Sequence, residues 1–189
     1  MTNIAIITGS TRPGRQSLSV AQWVLGLAQA RNDGNTYEVV DIADYNLPIW
    51  DEPQSPSFGV YTHEYSQKWA AKISEFDGFV FVTPEYNHAA PASLTNALTY
   101  LKHEWANKAA GFVSYGSAGG VRAVENLRVI FGELAIATVR SSPALGLFDD
   151  FTNFTTFTPR EALHAPLINA MISEVIAWTD ALAPLRAKA

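Results

Sequence analysis

Five short apolar runs recur along the chain, at residues 4–8, 37–41, 78–83, 111–114 and 135–139. Each is four to six residues long and almost wholly apolar, which is the pattern of strands buried on both faces of a parallel sheet. Longer stretches of helical period separate them. Residues 17–30 place Leu18, Ala21, Leu25 and Ala28 at helical spacing, residues 63–76 and 92–100 do likewise, and residues 120–131 put Val121, Val124, Leu127 and Phe131 on one stripe. Residues 159–182 form a long amphipathic tail in which Pro166 marks an interruption or a restart. Strict alternation of strand and helix, closed by right-handed crossovers, predicts an α/β fold. It is a doubly wound, five-stranded parallel sheet of order 2-1-3-4-5 with helices on both faces. With 189 residues, 48% of them apolar, the expectation is one domain spanning residues 1–189. The irregular stretch 43–62, with Pro48, Pro53 and Pro56, is long for a loop and predicts a functional or interface segment.

Charge narrows the function. The net charge is −5, which argues against a nucleic-acid partner. The sign is unevenly distributed: residues 1–32 contain Arg12, Arg15, Arg31 and no acid, hence +3, while the rest of the chain carries −8. An anion site is therefore expected near the start. The absence of cysteine removes disulfides, thiolate catalysis, cysteine-bound zinc and iron–sulfur clusters. His63, His88, His103 and His164 show no ligand spacing, so no metal is expected. There is no basic n-region before a signal-like apolar run, and no apolar run approaches the ~18 residues of a membrane span; a cytoplasmic protein is expected.

In a 2-1-3-4-5 sheet the ligand crevice opens beyond the carboxyl ends of strands 1 and 3, with strand 4 alongside. The loops after those three strands are all unusual. The first reads Gly9-Ser10-Thr11-Arg12-Pro13-Gly14-Arg15-Gln16-Ser17-Leu18 and opens into a helix. Small residues let backbone N–H groups face an anion, the helix N-terminus adds its dipole, and two arginines add charge: the elements of a phosphate cradle. Arg15-Gln16 stand where a P-loop needs Lys and Ser/Thr, G-x-G-x-x-G is absent, and Tyr115 displaces the first glycine of a hydrolase elbow around Ser117. The second loop, Thr83-Pro84-Glu85-Tyr86-Asn87-His88, offers an aromatic and backbone amides to the edge of a planar heterocycle. Glu85 has no partner readable from the sequence and is expected to act through its backbone. The third, Ser114-Tyr115-Gly116-Ser117-Ala118-Gly119-Gly120, permits close approach of a ligand to the backbone.

These residues, with Asn46-Leu47-Pro48-Ile49-Trp50-Asp51-Glu52 and Tyr100-Leu101-Lys102-His103-Glu104-Trp105, resemble the NAD(P)H-dependent FMN reductase family, which is flavodoxin-like in fold and has azo, quinone and chromate reductases among its members. The resemblance spans roughly residues 3–182. It implies that Ser10, Arg12, Ser17 and Leu18, with Arg15 and Gln16, hold the FMN phosphate. It also implies that Pro84, Glu85, Tyr86 and Asn87 lie along the isoalloxazine ring and that Ser114, Tyr115, Gly116 and Ser117 close its other side. Bound FMN, NADPH or NADH as co-substrate, a small-molecule electron acceptor and a homodimer or homotetramer are implied with it. Hydride would pass from nicotinamide to flavin N5, with no obligatory catalytic side chain. The family's usual Lys and Asp in the helix after strand 3 are replaced by Thr95 and Thr99. A flavodoxin-type electron carrier and a flavin-based redox sensor stay open as alternatives, separable by NAD(P)H turnover.

Overall fold

The computed structural model describes residues 1–187; residues 188 and 189 of the expected domain lie outside them. The chain runs β1 (Asn3–Thr8), α1 (Ser17–Ala30), β2 (Thr36–Asp41), α2 (Glu64–Ser74), β3 (Gly78–Pro84), α3 (Ala92–Thr99), β4 (Lys108–Gly116), α4 (Val121–Glu133), β5 (Ile136–Thr138), β6 (Ala144–Gly146), β7 (Phe151–Thr152), β8 (Thr156–Phe157) and α5 (Glu161–Arg186). The sheet order is β2-β1-β3-β4-β5 and every ladder in it is parallel, as the alternation predicts.

The fifth position differs from the expected single strand. β5 pairs with Lys108–Ala110 of β4, and β6 pairs with Ser114–Gly116 further along the same edge. Between them the chain bulges out through residues 139–143. Pro143 lacks an N–H and contributes only its carbonyl, which accepts from Ser114 N–H. Ser141 is pulled toward α5, its N–H bonding Glu174 at 3.0 Å. The antiparallel β7–β8 hairpin, Phe151 opposite Phe157, is also absent from the sequence reading. Pro166 does not break α5: the proline removes one hydrogen bond near the helix start, while His164, Ile168, Met171, Ile172 and Val175 stay buried along one face.

Strand alternation sorts the core into two unlike layers. Phe79, Phe81 and Phe112 face α2, α3 and α4 and pack with Trp69, Trp105 and Phe131 in an aromatic layer. Ile4, Ile6, Val80, Val82 and Val113 face α1 and α5 in an aliphatic one. The second layer is tight. A Cβ on Gly111 would run into Met171 and stand 2.9 Å from Val175 Cγ2. Gly111→Ala is expected to destabilise the fold by about 1 kcal/mol or more, read as a lower urea midpoint with unchanged slope.

The long stretch after β2 is ordered by two acids. Glu52, 7% exposed, accepts the N–H groups of Thr62 and His63 and so closes the excursion onto the start of α2. Asp51 accepts the hydroxyls of Tyr65 and Tyr100 at 2.6 and 3.0 Å. Ile49, Phe58 and Val60 are left largely exposed along it.

Candidate functional site

The loops after β1, β3 and β4 meet at the carboxyl edge of the sheet and are tied together by backbone. Gly9 N–H donates to Val82 O at 2.7 Å, where a side chain would meet the same oxygen. Glu85 N–H donates to Tyr115 O at 3.0 Å. Ser93 Oγ donates to Gly9 O from the start of α3.

In the first loop, Ser10 is buried and its hydroxyl lies 3.1 Å from the Tyr86 hydroxyl. Gly14 takes a positive φ, and Arg15 N–H closes a turn onto Arg12 O. Arg12 is exposed, with its guanidinium 5.9 Å from the centre of the Tyr86 ring and, among the described residues, no carboxylate within ion-pair distance. Arg15 does have a carboxylate: its Nη2 lies 2.6 Å from Asp41 Oδ2. Burial pushes the Asp41 carboxyl up, but hydrogen bonds from Arg15, Ala43 N–H and the Thr8 hydroxyl outweigh it and hold the group below the usual range. Helix α1 starts at the fully buried Ser17, with no side-chain cap and no acid in its first turn. The Gln16 side chain donates to Gly14 O, and the Leu18 side chain faces outward, so these two can offer a ligand little beyond their backbone N–H groups.

In the second loop, Tyr86 and Ala89 exchange both backbone hydrogen bonds around Asn87 and His88, whose φ values are +51° and +65°. That is a primed turn built without glycine, a strained backbone held by its neighbours. Glu85 is the correction here. The sequence reading left it unpaired, but its carboxylate, 7% exposed, accepts Arg122 N–H at 3.0 Å and Arg122 Nη1 at 2.6 Å. Burial raises its pKa less than Arg122 lowers it, and the carboxylate caps α4, which has no cap of its own at Gly120.

In the third loop, Ser114 Oγ donates to Gly119 O at 2.7 Å, and Gly120 sits at φ +76° with the backbone of Tyr115 only 2.8 Å from where a Cβ would stand. Ser117 is exposed. The Tyr115 side chain points away from the loop surface into the layer under α1, 5.5 Å from Phe151. Pro84 and Gly116 end their strands beside it, in register with Tyr115 and Gly146 respectively.

Three polar side-chain atoms here are buried without a hydrogen-bond partner: Arg15 Nε, Ser17 Oγ and Tyr115 Oη. Ser17 opens α1, whose start has no side-chain cap, whereas the Arg15 guanidinium is turned to Asp41; buried donors left without a partner cost about 1–3 kcal/mol each. An acceptor-rich dianion satisfies a helix start that has neither cap nor acid and an exposed Arg12 in the loop before it, so these residues fit a phosphate monoester of the FMN kind. The contacts of Asp41 and Arg122 were beyond sequence reasoning because both partners lie far away in sequence. The acid-free first segment was the signal that carried the rest.

The NADPH-dependent FMN reductase family matches residues 2–150. An NAD(P)H-dependent FMN reductase of Schizosaccharomyces pombe is 43% identical over 146 residues, covering 76% of this chain and 72% of that protein. A 2-hydroxy-1,4-benzoquinone reductase of Burkholderia is 28% identical over 140 residues, 70% of this chain and 72% of the relative. Among solved structures, FerB, a flavoenzyme NAD(P)H:(acceptor) oxidoreductase of Paracoccus denitrificans, superposes with a TM-score of 0.71 at 16% identity, covering 94% of this chain and 98% of its own. The likeness in fold thus extends past the residues that the family match covers, and the sequence match includes all three loops. By that match the chain belongs to the NADPH-dependent FMN reductase family and is a flavin-dependent oxidoreductase.

Proposed function

We propose that this protein oxidises NAD(P)H on an FMN held at the three loops and delivers the electrons to a small planar acceptor such as a quinone. The observation that carries the reading is the first loop itself, where the exposed Arg12 precedes an α1 start that has no side-chain cap and no acid in its first turn. Ser10, Arg12, Ser17 and the N–H groups of Arg15, Gln16 and Leu18 bind the phosphate, with Arg15 anchored on Asp41. Pro84, Glu85, Tyr86 and Asn87 on one side, and Ser114, Tyr115, Gly116 and Ser117 on the other, supply the rigid edge for the ring. Bound FMN supplies hydride acceptance from the nicotinamide and electron donation to the second substrate. The Glu85–Arg122 pair keeps the second loop and the start of α4 in fixed relation. No side chain is required to move a proton. The quinone reductase among the relatives supports the acceptor class.

The test is a visible spectrum followed by stopped-flow mixing with NADPH and NADH. Flavin absorbance that bleaches on mixing and returns with a quinone supports the enzyme. A colourless protein that ignores added FMN overturns the cofactor reading, and flavin that neither nucleotide reduces favours the carrier or sensor alternative.

Assembly belongs to the same reading. Ile49, Phe58, Val60 and Val129 are 89, 71, 52 and 77% exposed, and Val129 lines an apolar cleft of about 420 Å³ between α3, α4 and Pro56. A second copy of the chain covering this face gives a homodimer or homotetramer, and Thr95 and Thr99 on α3 bond back to their own helix rather than outward. Light scattering at micromolar concentration is expected to give at least a dimer, and a monomeric mass overturns it. A cytoplasmic location, where NAD(P)H is supplied, is part of the same proposal.

A further inference from the structure

A cleft of about 420 Å³ lies between the first loop, the turn that follows β2, and α3. α3 packs into the aromatic layer, on the face of the sheet opposite α1, so the cleft is apart from the α1 start that the phosphate uses. Its walls have local causes. β2 ends at Asp41, and Ile42–Tyr45 form one tight helical turn closed by Asn46, whose N–H donates to Ala43 O. Asn46 sits at φ +46°, a conformation that asparagine tolerates better than most residues. Asn96 of α3 ties the excursion down: its amide donates to Pro48 O and accepts Trp50 N–H at 2.9 Å.

Every residue lining the cleft is uncharged. Ile42, Leu47 and Ala97 supply apolar surface, and Thr11, Asn46 and Asn96 supply hydroxyl and amide groups. The Asn96 amide is committed to Pro48 and Trp50, but Asn46 is exposed and its side chain makes no hydrogen bond among the described residues. A free amide beside apolar walls suits the edge of a neutral planar heterocycle, donating to a ring nitrogen and accepting from an exocyclic amine. Adenine is such a heterocycle. Arg12, exposed and next in the chain after Thr11, suits the phosphates that a dinucleotide carries beyond it.

We propose that this cleft takes the adenosine half of NAD(P)H and that Asn46 reads the adenine edge. The inference deepens the NAD(P)H reading above and rests on it. A dinucleotide whose nicotinamide lies on the flavin ring must place its second half beyond that ring, whereas a quinone has no second half to place.

Asn46→Gly removes the amide and keeps the left-handed backbone, and Ala43→Leu adds bulk to the cleft wall. Both FMN-loaded variants are reduced in stopped flow by NADH, by NADPH and by dihydronicotinamide mononucleotide, which lacks the adenosine half. The apparent dissociation constant of the tighter dinucleotide is expected to rise about fivefold in each variant, the effect of one neutral hydrogen bond or more. The limiting rate and reduction by the mononucleotide are expected to change less than about twofold, because the flavin end is untouched. AMP is expected to compete with the dinucleotide in wild type and not with the mononucleotide. Equal losses for both donors, or none for either, overturn the site. A fall in FMN affinity in Asn46→Gly gives the cleft to the flavin and overturns it too. If neither dinucleotide reduces the wild-type flavin, the enzyme reading falls and takes the proposal with it; if reduction is normal and the variants match wild type, the proposal alone falls.

Discussion

Replacing Asp150 with alanine is expected to cost the fold about 2–4 kcal/mol, because it leaves the N–H groups of Gly146 and Arg160 without their acceptor. Asp150 is fully buried. Its carboxylate accepts Gly146 N–H at 2.9 Å, Arg160 N–H at 3.0 Å and Nε at 3.2 Å, and contacts His164 Nε2 at 3.0 Å. Its carbonyl accepts Thr158 N–H. One residue thus joins β6 and the first turn of α5 through its side chain and the base of the β7–β8 hairpin through its carbonyl. Removal leaves the buried His164 ring without its Asp150 contact, and His164 Nδ1 already has no partner. The pH dependence follows with a definite sign. Burial pushes the Asp150 carboxyl up, but the hydrogen bonds from Arg160 and Gly146 N–H outweigh it, and the folded pKa lies below the ordinary 3.8. The stabilisation is therefore fully present above the unfolded value and is lost as pH falls through the folded one. Urea unfolding of wild type between pH 7 and pH 3 is expected to show this acid-labile part, and Asp150→Ala to lack it. An alanine variant within 1 kcal/mol of wild type at pH 7 sinks the clasp.

The contrast between what the chain discloses and what it conceals turns on range and phase. Strand order was legible because each apolar run is bounded by polar turns and separated by helical period, so the topology follows from alternation alone. The split fifth position was not, since β5 and β6 have three residues each, too few to show a period, and Pro143 lies in the gap as an unexplained breaker. The hairpin was hidden because its turn uses Asn153 and Phe154 at positive φ, with no glycine to announce it. At the site, the first loop was visible through its charge, but the partners Asp41 of Arg15 and Arg122 of Glu85 are 26 and 37 residues away, and no spacing rule reaches that far. The direction of Tyr115 failed for another reason. A strand apolar on both faces carries no alternation from which to read the phase, so only the fold shows that 113 and 115 face α1 while 112 faces α4.

The two arginines of the first loop are expected to part company when each is removed. Arg12 is exposed and, among the described residues, has no carboxylate in ion-pair range, while its guanidinium lies over Tyr86. Its charge is thus free for a ligand. Arg12→Ala is expected to weaken FMN binding by at least about 1.5 kcal/mol, more than tenfold, with little change in unfolding stability. Because the guanidinium is exposed, the loss is expected to shrink between 50 and 500 mM salt as screening grows. Arg15 is built differently: its guanidinium neutralises Asp41, whose side chain is only 8% exposed. Arg15→Ala leaves that carboxylate buried without its cation, so the larger effect is expected on stability, with FMN affinity reduced less than in Arg12→Ala. Flavin titration and urea unfolding on both variants separate the two roles. Equal losses of FMN affinity in the two variants would return both arginines to a shared phosphate role. Unchanged affinity in Arg12→Ala would leave the grip on the phosphate to Ser10, Ser17 and the α1 N-terminus, since the remaining arginine is already engaged with Asp41.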